Sequence, residues 1–261
     1  MVRSLLFLVF AITVSAGEPL QRAHAHNDYE HNRPLLDALE HGFCGVEADI
    51  SLVDGELRVG HDPADLKPGR TLRKLYLDPL RERVKANKGQ LYGGKNTEFT
   101  LLIDIKSDGE ETYRALSKIL GEYQEILTGT RDGVTTKRAV TAIISGNRAK
   151  ETIAADNPRY AGIDGRLGDL ESDLDKNLLP LISDRWSSHF KWKGEGEMPA
   201  DEREKLHTIV KKAHATGRRI RFWATPEKIG VWRELRAAGV DLINTDDLAG
   251  LQRFLSKNPR N

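Results

Sequence analysis

Residues 44–62 read CGVEADISLVDGELRVGHD, and this segment decides how the rest of the chain is interpreted. Residues 44–53 are mostly β-branched or apolar and predict a buried strand, which the turn pair Asp54-Gly55 ends. Side chains two residues apart in a strand point to the same face, so Glu47 and Asp49 project into one space. The segment therefore predicts a strand that carries two neighbouring carboxylates.

Histidines flank this acidic strand on both sides in the sequence. The group His24-Ala25-His26-Asn27-Asp28 lies upstream, and His61-Asp62 follows the turn. Imidazole titrates near neutral pH, so His26 and His61 are candidates for a general base and a general acid. Two carboxylates between two histidine groups indicate a metal-dependent acid/base site.

The overall composition is that of an ordinary globular protein with a nearly neutral charge. The chain has 261 residues, a length that suits one α/β barrel, and 40 Lys and Arg residues oppose 39 Asp and Glu residues. This balance argues against nucleic acid as a partner, because nucleic-acid binding depends on clustered positive charge. Cys44 is the only cysteine, so we expect no intramolecular disulfide.

Residues 1–16 predict a secretory signal peptide. Arg3 precedes an apolar run from Leu5 to Val14, and Val14-Ser15-Ala16 supplies the small residues of a cleavage site. The run is too short to span a membrane, and no second run of membrane length follows it. We therefore expect a secreted or periplasmic protein whose single domain covers residues 17–261. A buried N-terminal helix or a retained anchor is the alternative.

Strand and helix patterns alternate along the rest of the chain. Runs of β-branched and apolar residues predict further strands at 101–106, 138–145, 160–165, 178–184, 219–225 and 240–245. Apolar residues at helical spacing predict helices at 35–41, 72–88, 110–123, 149–155, 200–216, 227–238 and 248–257. With a first strand ending near His26, these make about eight β-then-α units and predict a (β/α)8 TIM barrel. A doubly wound sheet would show a glycine-rich phosphate loop after its first strand, and the sequence has none.

Polar residues collect at the C-terminal ends of the predicted strands, where barrel enzymes build their sites. Glu47, Asp49 and Asp104 offer only oxygen ligands, which suit one Mg²⁺ or Ca²⁺ ion better than zinc. Without a cation, three buried acids would repel one another. Lys106 shares a strand face with Asp104 and could neutralise a phosphate oxygen, although a simple ion pair with a neighbouring acid is the alternative.

Residues 178–196 form the segment that we expect to contact the rest of a substrate. The segment follows a strand and mixes aromatic with basic side chains. Arg185 and Lys191 could meet an anionic headgroup, while the aromatic residues could meet lipid or sugar: Trp186, Phe190 and Trp192. An ordinary amphipathic surface loop is the alternative.

Three segments in this order resemble a known superfamily: HAHNDYEHNRPLLDALEHGFCGVEADI at 24–50, LRVGHD at 57–62 and LLIDIK at 101–106. They are similar to the phosphatidylinositol-phospholipase-C-like phosphodiesterases, which include glycerophosphodiester phosphodiesterases and venom sphingomyelinase D. The opening motif and ISGNR at 144–148 resemble most the altered-inheritance-of-mitochondria-like branch. The resemblance runs from about His24 to the last predicted strand.

This resemblance implies a (β/α)8 barrel and Mg²⁺- or Ca²⁺-dependent cleavage of a phosphodiester. By position, His26 and His61 match the family's catalytic histidines, and the metal carboxylates match Glu47, Asp49 and Asp104. The remaining matches are the active-site lysine of the sphingomyelinase D pattern, at Lys106, and the tryptophan of a late strand, at Trp223. The His-Arg-Gly opening of glycerophosphodiesterases is replaced here, so that Asn27 could take the place of the arginine as a phosphate contact.

The expected protein is a secreted, monomeric enzyme that cleaves a small or lipid-derived phosphodiester. Arg148 could help to balance the phosphate charge. The headgroup, the choice between Mg²⁺ and Ca²⁺, and the choice between hydrolysis and cyclic-phosphate transfer stay open. Two other classes also remain: a metal-dependent amidohydrolase, using His24, His26 and Asp246, and a secreted binding barrel without catalysis.

Overall fold

Eight parallel strands close into a barrel in the computed structural model, which describes residues 18–257. The strands, in chain order, are β1 (Leu20–Ala25), β2 (Phe43–Val53), β3 (Glu56–Val59), β4 (Phe99–Ile105), β5 (Gly129–Arg131), β6 (Val134–Thr136), β7 (Val140–Gly146), β8 (Ala161–Gly165), β9 (Leu181–Arg185), β10 (Arg219–Trp223) and β11 (Leu242–Thr245). The barrel closes because β1 pairs in parallel with both β2 and β11. The predicted fold class is confirmed, while the predicted signal peptide lies outside the described residues.

Helices connect the barrel strands. They are α1 (Leu36–Glu40), α2 (Asp78–Ala86), α3 (Gly109–Gly121), α4 (Lys150–Ala155), α5 (Trp186–His189), α6 (Ala200–Ala215), α7 (Ile229–Ala238) and α8 (Leu248–Ser256). Side-chain caps begin two of them, since Asp108 accepts from the Glu111 amide at 2.9 Å and Asp247 from the Gly250 amide at 2.8 Å. Among the described residues, no helix has the length and apolar character needed to cross a membrane.

The predicted elements correspond to observed ones, with differences at their ends. The strand predicted at 178–184 begins only at Leu181, because the amides of Leu178 and Leu179 both bond to the Asp175 carbonyl in a turn. The short hairpin of β5 and β6 was not predicted. Its strands are only three residues long, too short for an alternating pattern to be read.

Alternate residues of each strand point into the barrel and form layers along its axis. One layer is apolar and consists of four buried side chains: Leu102, Ile143, Leu181 and Leu242. Two residues further along the same strands, the side chains are polar: Asp104, Ser145, Ser183 and Asn244. The interior therefore changes from apolar to polar towards the C-terminal ends of the strands.

The strand β2 is longer than the barrel requires and continues as an antiparallel hairpin with β3. The turn at its tip uses Asp54 and Gly55, both with positive φ. The chain then returns towards the barrel, where the Gly60 amide donates to the Asp49 carbonyl at 3.0 Å. The hairpin thereby brings His61 back to the acidic end of β2.

Candidate active site

A cavity of about 430 Å³ opens at the C-terminal end of the barrel. Most of the site residues predicted from the sequence line it: His26, Asn27, Glu47, Asp49, His61, Asp104, Lys106 and Trp223. A larger cavity of about 670 Å³, lined by Glu18 to Arg22 and by residues 95–97 among others, contains none of the predicted site residues. The smaller cavity is therefore the candidate active site.

Three carboxylates in this cavity could hold a cation. Asp49 and Asp104 are partners in the register of β2 with β4, and Glu47 precedes Asp49 on the same strand face. One carboxylate oxygen of each acid lies within 4.8 Å of the others. The Oδ1 atom of Asp49 is buried and accepts no hydrogen bond from the described residues. An all-oxygen donor set with an unpartnered buried oxygen fits a hard divalent cation such as Mg²⁺ or Ca²⁺.

Lys106 lies directly beside two of these acids. Its Nζ atom is 3.1 Å from Asp49 Oδ2 and 3.2 Å from Asp104 Oδ1. Burial acts to lower the pKa of Lys106, but the charges of the two carboxylates outweigh it and raise the pKa. Burial and the charge of Glu47 raise the pKa of Asp49 to about 6, although Lys106 opposes the shift. The lysine is therefore a fixed positive charge at the edge of the acidic cluster.

Arg221 is the ion-pair partner of the third acid, Glu47. Its Nη2 atom donates to Glu47 Oε2, and its Nε donates to Asn244 Oδ1 at 2.7 Å. Burial acts to raise the pKa of Glu47, but the guanidinium and the nearby His24 outweigh it and hold the pKa well below its usual range. Glu47 is thus kept ionised, and together with Arg221 it forms part of the buried polar floor of the cavity.

The two predicted catalytic histidines have different surroundings. His26 lies just beyond β1, where its Nδ1 atom is 2.9 Å from Asp246 Oδ1. Burial acts to lower the pKa of His26, but the hydrogen bond to Asp246 and the charge of Glu47 raise it overall. His61 is more open, with 55% of its side chain exposed and Nδ1 3.1 Å from Asp62 Oδ1. In both histidines, the carboxylate holds Nδ1 and leaves Nε2 for a substrate.

Tyr29 links the first loop to the acidic cluster. Its hydroxyl lies 3.0 Å from Asp49 Oδ2 and 2.9 Å from Asn27 Oδ1. One hydroxyl proton can serve only one of these oxygens at a time, so a substrate or cation could change which one receives it. Asn27 has the left-handed φ of 47° that asparagine tolerates, and this backbone turn directs the loop over the cavity.

The residues predicted as substrate contacts differ in whether they reach the cavity. Trp223 lines the cavity, and the Arg185 guanidinium lies 5.6 Å from the centre of its ring. Arg148 is half-buried and donates to the Asp164 carbonyl. Trp186 is only 2% exposed, so the structure corrects the expectation that it contacts substrate.

Trp186 is a core residue because the single turn of α5 directs its ring inward. The ring stacks on Phe190 at 4.1 Å between centroids, and its Nε1 donates to the Trp192 carbonyl at 3.0 Å. Phe190 and Trp192 are buried as well. The aromatic side chains of the 178–196 segment therefore pack against the outer face of the barrel and do not form an open contact surface.

Five residues that line the cavity were not among the site residues predicted from the sequence: Tyr29, Glu30, Ser145, Arg166 and Arg221. A signal existed for two of them. Arg221 precedes Trp223 by two residues on a strand and so shares its inward face, and Arg166 directly follows the strand predicted at 160–165.

The pair His24 and His26 does not form a two-histidine ligand set. His24 is fully buried, and its Nδ1 side packs closely against Gly45 on the neighbouring strand. Its Nε2 atom is 3.8 Å from Glu47 Oε2, beneath the cavity rather than in it. This placement argues against the amidohydrolase alternative, which needs both histidines at one metal.

Comparisons with known proteins identify the family to which the chain belongs. The model of the AIM6-like phosphodiesterase domain matches residues 18–163, and that of the glycerophosphoryl diester phosphodiesterase family matches residues 219–249. Altered inheritance of mitochondria protein 6 of Eremothecium gossypii is 31% identical over 90% of this chain and 69% of its own length. Its homologue from Arthroderma benhamiae is 26% identical over 86% of this chain and 81% of its own length.

A solved structure shows that the fold is shared more widely. A glycerophosphodiester phosphodiesterase from Parabacteroides distasonis superposes with a TM-score of 0.56 at 17% identity, over 94% of this chain and 100% of that chain. The domain match includes the acidic strand, Lys106 and both cavity histidines. The chain belongs to the AIM6-like phosphodiesterase family.

Proposed function

We propose that this protein is a secreted enzyme that cleaves a small or lipid-derived phosphodiester with the help of one divalent cation. The observation that carries the proposal is the cavity, in which an acidic cluster, a lysine and two histidines meet. A binding protein without catalysis would not need proton-transfer groups beside a cation site. The support for secretion is the sequence pattern of residues 1–16 alone.

The acidic cluster and Lys106 would bind the phosphate. Glu47, Asp49 and Asp104 would hold Mg²⁺ or Ca²⁺, which supplies charge stabilisation at a phosphoryl oxygen when it is bound. Lys106 lies at the rim of the cluster, so its ammonium can donate to a second phosphate oxygen. Arg221 lies in the floor of the cavity, where it would keep Glu47 ionised and oriented.

His26 and His61 would move the protons of the reaction. One would remove a proton from the attacking group, and the other would protonate the leaving oxygen at the opposite side of the scissile P–O bond. Asp246 and Asp62 orient the two rings through Nδ1. The proposal covers both water and an internal hydroxyl of the substrate as the attacking group.

The test of activity is a panel of phosphodiesters assayed with Mg²⁺, with Ca²⁺ and with EDTA. The panel contains glycerophosphodiesters, lysophospholipids and single-stranded DNA at moderate salt. We expect chelator-sensitive cleavage of a glycerophosphodiester or a lysophospholipid, and a cyclic phosphate product would indicate transfer to an internal hydroxyl. Turnover that persists unchanged in EDTA, or preferential cleavage of DNA, would contradict the proposal.

Variants test the assigned residues. Asp49→Ala should abolish cation binding in calorimetry, and unchanged affinity would remove Asp49 from the cation site. His26→Ala and His61→Ala should each lower turnover by about 10²–10⁴-fold. The matched control is His207→Ala, on an exposed face of α6 far along the chain from both loops, which should keep full turnover. N-terminal sequencing of exported protein tests secretion, for which we expect Gly17 as the first residue.

A further inference from the structure

A second polar cluster lies at the C-terminal ends of β7, β8 and β9, and its centre is the fully buried Asp164. Its Oδ2 atom accepts from Ser145 Oγ at 2.8 Å, from Ser183 Oγ at 2.6 Å and from Arg166 Nη1 at 2.8 Å. Ser145 and Arg166 also line the candidate active site. The cluster therefore reaches from the barrel interior into the cavity.

Arg166 is held by one edge of its guanidinium. All of its side-chain hydrogen bonds to described residues use Nη1, which also contacts the carbonyls of Asp164 and Gly165. The Nε and Nη2 atoms have no partner within residues 18–257, and 31% of the side chain is exposed. A guanidinium that is fixed at one edge and open at the other has two free N–H groups for a planar anion.

Arg148 adds a second positive charge behind Arg166. It is half-buried, and its Nη1 donates to the Asp164 backbone carbonyl, so only Arg166 pairs with the Asp164 carboxylate. Both guanidinium groups donate to the Asp164 carbonyl, so they lie side by side. Burial lowers the pKa of Arg148, and the charge of Arg166 adds to this shift. Two neighbouring guanidinium groups, of which only Arg166 has a carboxylate partner, leave an excess of positive charge that an anion would neutralise.

Charge balance indicates that this anion is not the phosphodiester group itself. The three acids of the cation site carry three negative charges, which Lys106, Arg221 and a divalent cation exceed by one positive charge. The single negative charge of a phosphodiester balances that excess. Near Asp164, Asp169 faces Lys150 at 3.7 Å and Asp184 faces His189 at 3.1 Å, and no carboxylate of the described residues forms an ion pair with Arg148.

We propose that Arg166, supported by Arg148, forms a subsite for a second anionic group of the substrate, a carboxylate or a phosphate monoester, distinct from the phosphodiester that is cleaved. The inference rests on the proposed function for the cleavage step. It narrows the substrate class to phosphodiesters that carry a further negative charge.

The test uses three p-nitrophenyl phosphodiesters that release the same coloured product. Their other ester group is ethyl, 2-carboxyethyl or 2-phosphonoethyl, so that only the added charge differs. For each protein, kcat/KM of the charged ester is divided by kcat/KM of the ethyl ester in Mg²⁺. Because this ratio is formed within one protein, an overall loss of folding or turnover cancels. The larger of the two ratios identifies carboxylate or phosphate as the preferred anion.

We expect the wild-type ratio to be about 10–100, because one hydrogen bond to a charged group stabilises a bound substrate by roughly this factor in kcat/KM. In Arg166→Gln it should fall towards 1, and Arg166→Lys should keep part of it because the charge remains while the planar fork is lost. The control Arg114→Gln, whose side chain is mostly exposed on α3, should keep the wild-type ratio. A wild-type ratio near 1, or an unchanged ratio in Arg166→Gln, would overturn the subsite.

A binding measurement separates this inference from the proposed function. Calorimetry compares propane-1,3-bisphosphonate with propylphosphonate, neither of which can be cleaved, in the wild type and in Arg166→Gln. If no phosphodiester is turned over but the wild type alone prefers the bisphosphonate, the proposed function fails and the subsite stands. If diesters are cleaved and the preference is the same in both proteins, the subsite fails and the proposed function stands.

Discussion

Removing Arg221 tests the ion pair beneath the candidate active site. Arg221 and Glu47 are 2% and 6% exposed, so water cannot replace the lost partner. Arg221→Met would leave the Glu47 carboxylate buried beside two other acids, with His24 at 3.8 Å as its one ion-pair contact among the described residues, and would take a donor from Asn244. Breaking a buried pair from one side costs about 3–5 kcal/mol of unfolding free energy. In a domain of this size, this corresponds to a loss of about 6–20 °C in Tm.

Calorimetric and urea unfolding in EDTA measure this cost, since the chelator removes any contribution from cation binding at Glu47. The double variant Glu47→Gln/Arg221→Met removes both charges and should lose less stability than Arg221→Met alone. Arg114→Met, at an exposed ion pair on α3, is the control and should change stability by only about 0.5 kcal/mol. A loss below about 1 kcal/mol in Arg221→Met, or strict additivity in the double variant, would refute the reasoning.

Three further variants test other parts of the structure. Gly146→Ala should destabilise the fold by about 1–2 kcal/mol, because φ at this position is +67°. It should also weaken cation affinity in calorimetry, because the new Cβ would collide with Asp104 Oδ1; unchanged affinity would contradict this. Leu242→Ala should cost about 2–5 kcal/mol in urea unfolding by opening a cavity in the apolar layer, and a loss below about 1 kcal/mol would mean that the layer is loosely packed. Burial raises the pKa of Asp28 to about 7 from 3.8, so the folded state retains a proton that the unfolded state has lost. This titration alone lowers the free energy of unfolding by roughly 3–4 kcal/mol between about pH 4 and 7. The stability of the wild type relative to Asp28→Asn should therefore fall by this amount over that range, and identical pH profiles would exclude this titration.

The sequence was sufficient for the parts of the fold that depend on local patterns. The β-branched and apolar residues of 44–53 and 101–106 predicted two buried strands, and the two-residue period of a strand placed Glu47 and Asp49 on one face. Periodic apolar residues located the helices to within a few positions. A parallel βα arrangement then puts all strand ends on one side of the sheet, which is why polar residues far apart in the chain could be expected to meet.

The sequence was not sufficient where side chains meet across the barrel. Glu47 and Arg221 are 174 positions apart, and their pairing depends on how the strands are staggered around the closed barrel. Trp186 lies in a segment whose composition is that of a contact loop, but the single turn of α5 directs its ring into the core. The position of Arg166 becomes evident only from the structure, where its Nη1 donates to Asp164 Oδ2, the oxygen that also accepts from Ser145 and Ser183.

The amino-acid sequence by itself determined the class of fold, the acidic strand and the expected chemistry, because strand periodicity and residue type are local properties. Only the tertiary structure decided which charges are paired, which histidine lies beneath the cavity and which arginine is open towards it. Pair formation and burial depend on strand register and on the packing of distant segments, and no local pattern in the chain encodes these. The separation of the acidic cluster from the open edge of Arg166 therefore appears only in three dimensions.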